Sequence, residues 1–577
     1  MEQAEHIRQA PRTRGAEAIG RVSAAWLDPA LVLLGAALSL AATGFVFGLD
    51  NNLFQLPILG RLYDLPQFAD DPFQQSLRHY ASGVWRLLEG SDRWIAPTHL
   101  LLALAVGARL LAFAGFLACA AALGVRTAGQ KLLFVALLAG LDLMLGYSYA
   151  GSQGLFLNHV THSELANGFL LLSFASAARR RLSAALAFAG AVFFCNAFMG
   201  VWALAVVGGM ALWMVAGGAI SLAEAARRLA PGAAIFAALA LPVVLTIVGN
   251  PEFGASTPID YRDYLTGYWP KHFLIWTVPA PELIGLGLVI VLAALSLATL
   301  GRRAAPFRVI FAVLAGLYAA GVAAPFLTGS QAILNLHLLR VGGPLQMVAA
   351  LGALAVVVRF ATSRDMWRAR LVALAMALSL CALPAATLLA IAALLLDRIG
   401  GPVRSAGERA LGGRFAALGA AACLALIAAL GVERAVAENG RNARLEALVS
   451  DWREVALWAR ANTPANAVFL TPSIDLSRQS VGLPYDRALA PIAATGADFE
   501  YVAQRRVFVD FKRGGAAPWT PSYYAHWRPR IDEALALKTL AERRSYAARV
   551  GAGYVVDRCA DEPPAFRAGA LCVYAAA

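Results

Sequence analysis

Apolar runs recur from residue 29 to residue 432, separated by short polar connections. Most reach the roughly 20 residues that a helix needs to cross a bilayer. They predict helices near 29–49, 97–123, 131–149, 163–178, 182–198, 199–217, 232–249, 280–300, 306–328 and 341–359. The run 371–396 has Arg-rich flanks at 359–370 and 398–414, so an even number of crossings is expected, as two short helices broken at Pro384. A last span near 415–432 follows. The fold class expected is a polytopic α-helical membrane protein of about 11–13 transmembrane helices.

The pattern changes after residue 433. Leu445, Leu448, Trp452, Val455 and Trp458 recur at near-helical spacing, and Asn462-Thr463-Pro464 ends that helix. Short β-rich runs follow at 467–470, 506–511, 553–556 and 570–574, with a charged helical stretch from Trp527 to Arg549. Segment 433–577 is therefore expected to be a small α/β soluble domain, after a multi-pass domain at 29–432 and an N-terminal segment at 1–28.

Composition agrees: 59% of residues are hydrophobic, only 15% are charged and the mean hydropathy is +0.61, which excludes a soluble enzyme. The net charge of +13 does not point to nucleic acid, because the basic residues fall in short connections: Arg126/Lys131, Arg179–Arg181, Arg227/Arg228 and Arg302/Arg303. That bias marks the cytoplasmic side. It puts the N-terminus inside and the loops 50–96, 150–162, 250–279 and 329–340 outside, together with the C-terminal domain, as for a bacterial inner-membrane protein. Cys559 and Cys572, in the soluble domain, are spaced to permit a disulfide in an oxidising compartment.

The first outside loop holds six acids, among them the adjacent pair Asp70-Asp71. From Pro72, residues Phe73, Leu77, Tyr80, Val84, Leu87 and Leu88 share a helical face, predicting an interfacial helix over 72–89 with Gly90 as its stop. Asp71 before Pro72 is an N-cap in that reading, whereas Asp70 has no capping role. A carboxylate there is suited to general-base chemistry, or to holding a divalent metal such as Mg or Mn against a phosphate leaving group.

This arrangement resembles the GT-C superfamily of membrane glycosyltransferases, in a bacterial branch whose members are uncharacterised. The resemblance is architectural over most of the chain and local at Leu56-Pro57 through Asp70-Asp71-Pro72, at Tyr268-Trp269-Pro270-Lys271-His272, and from Trp452 to Pro464. It implies a hexosyl or pentosyl transferase with a polyprenyl-phosphate-linked sugar as donor and a glycan, lipid or protein acceptor outside the cytoplasm. It also implies that Asp70 or Asp71 is the first-loop catalytic acid, and that Glu164 stands where a second acidic group tends to lie. The oligosaccharyltransferase signature WWDYG is absent.

Other outside residues are candidates from their chemistry. His159 and His162, with Asp70, are possible metal ligands; interfacial histidines at a helix start explain the first two equally well. Arg262, Lys271 and His272 interleave cations with aromatics, as a phosphate site or an interfacial belt would. Arg340 opens an apolar run and is a candidate phosphate ligand, and Arg109, deep in the second span, is expected to be a structural ion-pair partner. Two further readings stay open: a transporter or flippase of a lipid-linked or polar solute, and a non-catalytic scaffold of the same architecture.

Overall fold

The computed structural model describes residues 14–149, 151–254, 259–362, 375–380, 382–399 and 414–577. Among them, six helices are long and apolar enough to cross a membrane: Pro97–Ala122, Ala197–Ala216, Leu222–Val248, Ala280–Thr299, Gly301–Leu327 and Gln331–Ala361. Shorter apolar helices, at Leu27–Thr43, Ala128–Ala139, Leu182–Cys195 and Leu383–Leu395, lie beside them. The protein is a helical membrane bundle carrying a small C-terminal sheet domain.

Small residues set the closest helix approaches. A Cβ on Gly115 would stand 2.5 Å from Leu171, and one on Gly168 2.5 Å from Leu111, so Pro97–Ala122 and His162–Ala178 pack almost backbone to backbone. The helix Gly342–Ala361 is buried along nearly its whole length and forms the bundle's axis. Leu222–Val248 instead exposes Leu241, Leu245 and Val248 and presents an apolar outer face.

The basic connections gather at one end of the bundle. The Lys131 ammonium is 2.5 Å from Asp28, Gln130 donates to Thr362 at 2.9 Å, Arg179 donates to the carbonyl of Ala118 at 2.8 Å, and Arg303 lies beside Gly124. The opposite end carries the long loops, and the C-terminal domain closes over them.

Several elements depart from the sequence pattern. The span expected at 131–149 ends at Ala139, and isolated bridges pair Leu145 with Phe156 and Tyr147 with Gly154. The interfacial helix expected at 72–89 is two short helices, Pro72–Ser76 and Gly83–Leu87, with a 3-10 turn and an extended break between them. Of its predicted apolar face, Phe73, Leu77 and Tyr80 are buried in a cluster with Trp519 and Tyr523 of the C-terminal domain, whereas Leu87 is exposed. In the run 371–396, a helical turn at 375–379 gives way before Leu383–Ile399, whose first turn holds Pro384; residues 363–374, 381 and 400–413 lie outside the described residues. The boundary expected at 433 falls inside one continuous 49-residue helix, Arg414–Asn462.

That helix ends in the C-terminal domain, where Trp452, Val455, Ala456 and Ala459 pack on Phe469, Val556 and Val573. The sheet runs β2-β1-β3-β5-β4, built from β1 (Val468–Leu470), β2 (Arg506–Val507), β3 (Tyr554–Arg558), β4 (Phe566–Ala568) and β5 (Leu571–Ala575). Strand β1 pairs parallel with β2 and β3, and β5 pairs antiparallel with β3 and β4. The expected helix 527–549 is split into Tyr523–Ala536 and Leu540–Arg549, the second opened by a capping box of Thr539 and Glu542. Cys559 and Cys572 form a disulfide.

Candidate active site

The four long loops and the C-terminal domain enclose a cavity of about 1060 Å³ at the end of the bundle away from the basic connections. Its lining includes Asp50, Tyr80, His162, Lys271, His272, His337, Arg340 and Lys512. Asp70 and Asp71 are not in it.

Asp50 lies seven residues beyond the first helix, which ends at Thr43, on a loop turned by Gly44 and Gly48, both at positive φ. Both turns need the left-handed conformation that glycine adopts, and at Gly44 space is short as well, since a Cβ there would meet the Asn442 amide. The loop is stitched to the second outside loop. The backbone N–H of Val46 donates to the carbonyl of Asn158 at 2.6 Å, and the Gln55 amide donates to that of Val160 at 3.2 Å. The Asp50 carboxylate then lies 2.6 Å from Lys512 of the C-terminal domain and accepts from the Tyr147 hydroxyl at 3.4 Å. Burial pushes the Asp50 pKa up, but Lys512, the nearby His159 ring and hydrogen bonds from Lys512 and Tyr147 outweigh it and hold it below the ordinary value.

Lys512 is itself fixed. Its backbone N–H donates to the Asp510 side chain at 2.7 Å, its carbonyl accepts from the Tyr268 hydroxyl at 3.0 Å, and its ammonium lies 5.1 Å from the Trp269 ring centroid. The neighbouring Arg513 turns the other way, onto Glu500 at 2.7 Å.

Arg340 sits in a 3-10 turn, Leu338–Val341, entered through His337 at positive φ. Gly151 permits that turn to approach, since a Cβ there would lie 2.3 Å from the Leu339 carbonyl. Of the cavity's cations, Lys271 pairs with Glu282 at 3.0 Å, Lys512 with Asp50 and Arg513 with Glu500. Arg340 has no carboxylate partner among the described residues, and its Nε is buried without a hydrogen bond. Around it stand three histidines. The His337 ring lies between Phe198 and Phe273, with Nδ1 2.5 Å from the Asn335 carbonyl. His162 meets the Tyr80 hydroxyl at 3.2 Å. His272 has a buried, unpartnered Nε2, and burial, then the charges of Arg340 and its neighbours, keep its pKa well down. A buried guanidinium with an open Nε donor, flanked by imidazoles, is suited to a phosphate.

The other sequence candidates lie elsewhere. Asp70 is exposed on a turn, with no partner among the described contacts. Asp71 caps the short helix after it, accepting from the Gln74 N–H at 3.0 Å, and stands near the buried pair of Glu500 and Arg513. Glu164 is 2.7 Å from Arg109, both buried inside the bundle, where Arg109 also donates to the Leu157 carbonyl at 2.6 Å. Arg262 is exposed and outside the cavity lining. The expected metal set does not assemble: Asp70 points to solvent, His159 contacts Asn158 and His162 contacts Tyr80. Among the described residues no three His, Cys, Asp or Glu side chains gather as metal ligands.

No protein-family model matches the sequence, and no curated protein sequence matches it. Solved structures are similar. One of them is the crystal structure of ArnT from Cupriavidus metallidurans bound to undecaprenyl phosphate, at 14% identity over 96% of this chain and 98% of that chain, with a TM-score of 0.40.

Asp50 was not singled out by sequence reasoning, although it is the first acid after the first span. Lys512 was legible only as one of a charged cluster, Arg505, Arg506, Asp510, Lys512 and Arg513, around a strand, which either covers an acceptor cleft or is a solvated strand end. Its pairing with Asp50 arises only where the C-terminal domain folds back on the loops.

Proposed function

We propose that the protein is a membrane glycosyltransferase that moves a sugar from a polyprenyl-phosphate donor to an acceptor on the side of the C-terminal domain. The observation that carries this reading is one cavity, at the end of the helical bundle, holding a carboxylate paired with a lysine and a buried cation without a carboxylate partner among the described residues. In the proposed reaction the acceptor oxygen attacks the anomeric carbon as the bond from that carbon to the phosphate oxygen breaks, with inversion. Asp50 takes the acceptor proton. Arg340 meets the charge that develops on the departing polyprenyl phosphate, with His272 beside it as a neutral donor. A carboxylate with a depressed pKa is a weak base, so proton transfer follows bond formation, when the acceptor oxygen has become acidic.

The orientation proposed is the C-terminal domain outside the cytoplasm. It is supported by the basic connections at the far end and by the Cys559–Cys572 disulfide. A transporter would place its site near the bilayer midplane between broken helices; this cavity lies between the bundle's end and a soluble domain. The test is turnover in nanodiscs with radiolabelled polyprenyl-phosphate sugars. Asp50→Asn should lower the rate by roughly two orders of magnitude or more, and Arg340→Gln should weaken donor binding. Unchanged rates in both variants would overturn these assignments, and the absence of turnover with every donor would overturn the transferase reading.

A further inference from the structure

At the end of the bundle that carries the basic connections, charge is matched unevenly. Lys131 pairs with Asp28, and Arg227 and Arg228 both donate to Glu224. Arg179 donates to the Ala118 carbonyl, and Arg359 to the Thr299 carbonyl at 3.3 Å. Arg180 and Arg308 are exposed, and among the described residues neither has a carboxylate partner or a hydrogen-bond acceptor.

These two guanidinium groups border one cleft. Trp213 stands in the last turn of the helix Ala197–Ala216, and Arg308 in the first turn of the helix Ala305–Leu327. Together with Ala305, Val309, Ala312 and Val313 they line a cleft of about 490 Å³ between the two helices. The Arg180 guanidinium reaches it from the side, 5.9 Å from the Trp213 ring centroid. Backbone geometry puts it there: the chain leaves the helix His162–Ala178 through Arg180 at positive φ, and the N–H groups of Arg180 and Arg181 donate to the carbonyls of Ala177 and Ser176 at 2.8 and 2.9 Å. The Trp213 ring packs on the buried cluster of Leu182, Ala211 and Met214, which fixes the cleft's wall. Ala312 and the neighbouring Leu212 are exposed, so the cleft opens on the outer surface of the bundle.

The rim and the floor of this cleft ask for different things. An indole at the end of a spanning helix lies at headgroup level, and arginines beside it extend toward phosphates. A free phosphate would answer the rim but leave the apolar floor wet, and an uncharged chain would fill the floor but leave two cations without counter-charge. A lipid with an anionic headgroup satisfies both, as basic pockets between membrane helices do for acidic lipids.

We propose that this cleft binds an anionic phospholipid, with its phosphate at Arg180 and Arg308 and an acyl chain along Val309, Ala312 and Val313. The site lies at the opposite end of the bundle from the cavity and does not rest on the transferase reading.

Native mass spectrometry of the full chain from detergent micelles tests this, with phosphatidylglycerol and phosphatidylcholine of identical acyl chains as probes. Phosphatidylglycerol should bind roughly tenfold more tightly or better, and an excess of inorganic phosphate should not displace it. Arg180→Gln combined with Arg308→Gln should abolish the preference, and Ala312→Trp should block phosphatidylglycerol by filling the cleft. Arg227→Gln, which removes a guanidinium already committed to Glu224, should keep the preference. Equal binding of the two lipids to wild type would overturn the proposal, as would displacement by inorganic phosphate. So would a preference that survives in the folded cleft variants, or one lost as fully in Arg227→Gln, which would trace it to the diffuse charge of the whole end.

Discussion

Asp50 shows how a single carboxylate acquires a role through its partner. Its ion pair with Lys512 keeps its pKa below the ordinary value, so the group stays ionised to lower pH than a free carboxylate. The sign for stability follows: a depressed pKa contributes stability that is present above the unfolded value and is lost as pH falls through the folded one. Lys512→Met removes the lowering charge and leaves burial to act, so the acid limb of the pH–rate profile should move to higher pH, as steady-state rates across pH will read. The acidic pair behaves differently. Asp71→Ala should cost about 1 kcal/mol in thermal unfolding through its lost cap, and Asp70→Asn should leave turnover within about twofold, its side chain being exposed and outside the cavity. The sequence made Asp71 legible as a cap, since an aspartate before proline at a helix start has a local cause. It could not rank Asp50 above Asp70, because that ranking depends on a lysine in another domain.

Helical periodicity records which residues are buried, and it was read correctly at Phe73, Leu77 and Tyr80. It does not say what buries them. Lipid was the expected cover, whereas the structure supplies Trp519, which donates to the Ser76 carbonyl at 3.0 Å, and Tyr523, whose ring lies 6.1 Å from Phe73. Once the cover is protein, the segment no longer needs to be one straight helix, and it breaks before Gly83. Local signals at helix starts went unread: Thr127, Thr161 and Ser221 cap helices that the apolar runs placed near 131, 163 and 232. Arg109 was legible as a structural ion, and its partner is Glu164, the acid the family resemblance had marked for function. Glu164→Gln leaves a buried guanidinium unpaired and should destabilise the bundle by about 3–5 kcal/mol, measured by thermal unfolding in detergent. A variant as stable as wild type would show that water reaches the pair.

At the scale of the molecule, alternating basic and long connections predicted which loops share a side, and the structure brings them to one end of the bundle with the C-terminal domain. The cavity between them was not legible, since it is made by residues from Asp50 to Pro521 that only the closed fold assembles. The orientation is checked with single cysteines in a background without the native ones. Glu562→Cys should react with a membrane-impermeant maleimide added to intact cells, and Arg227→Cys should react only after permeabilisation; the reverse pattern would invert the topology. The 49-residue helix Arg414–Asn462 joins the two halves without a flexible linker. At 1.5 Å per residue it is roughly 74 Å long. A tilt of about 5° about one end would move the other by roughly 6 Å, and would carry with it the C-terminal domain that closes over the cavity.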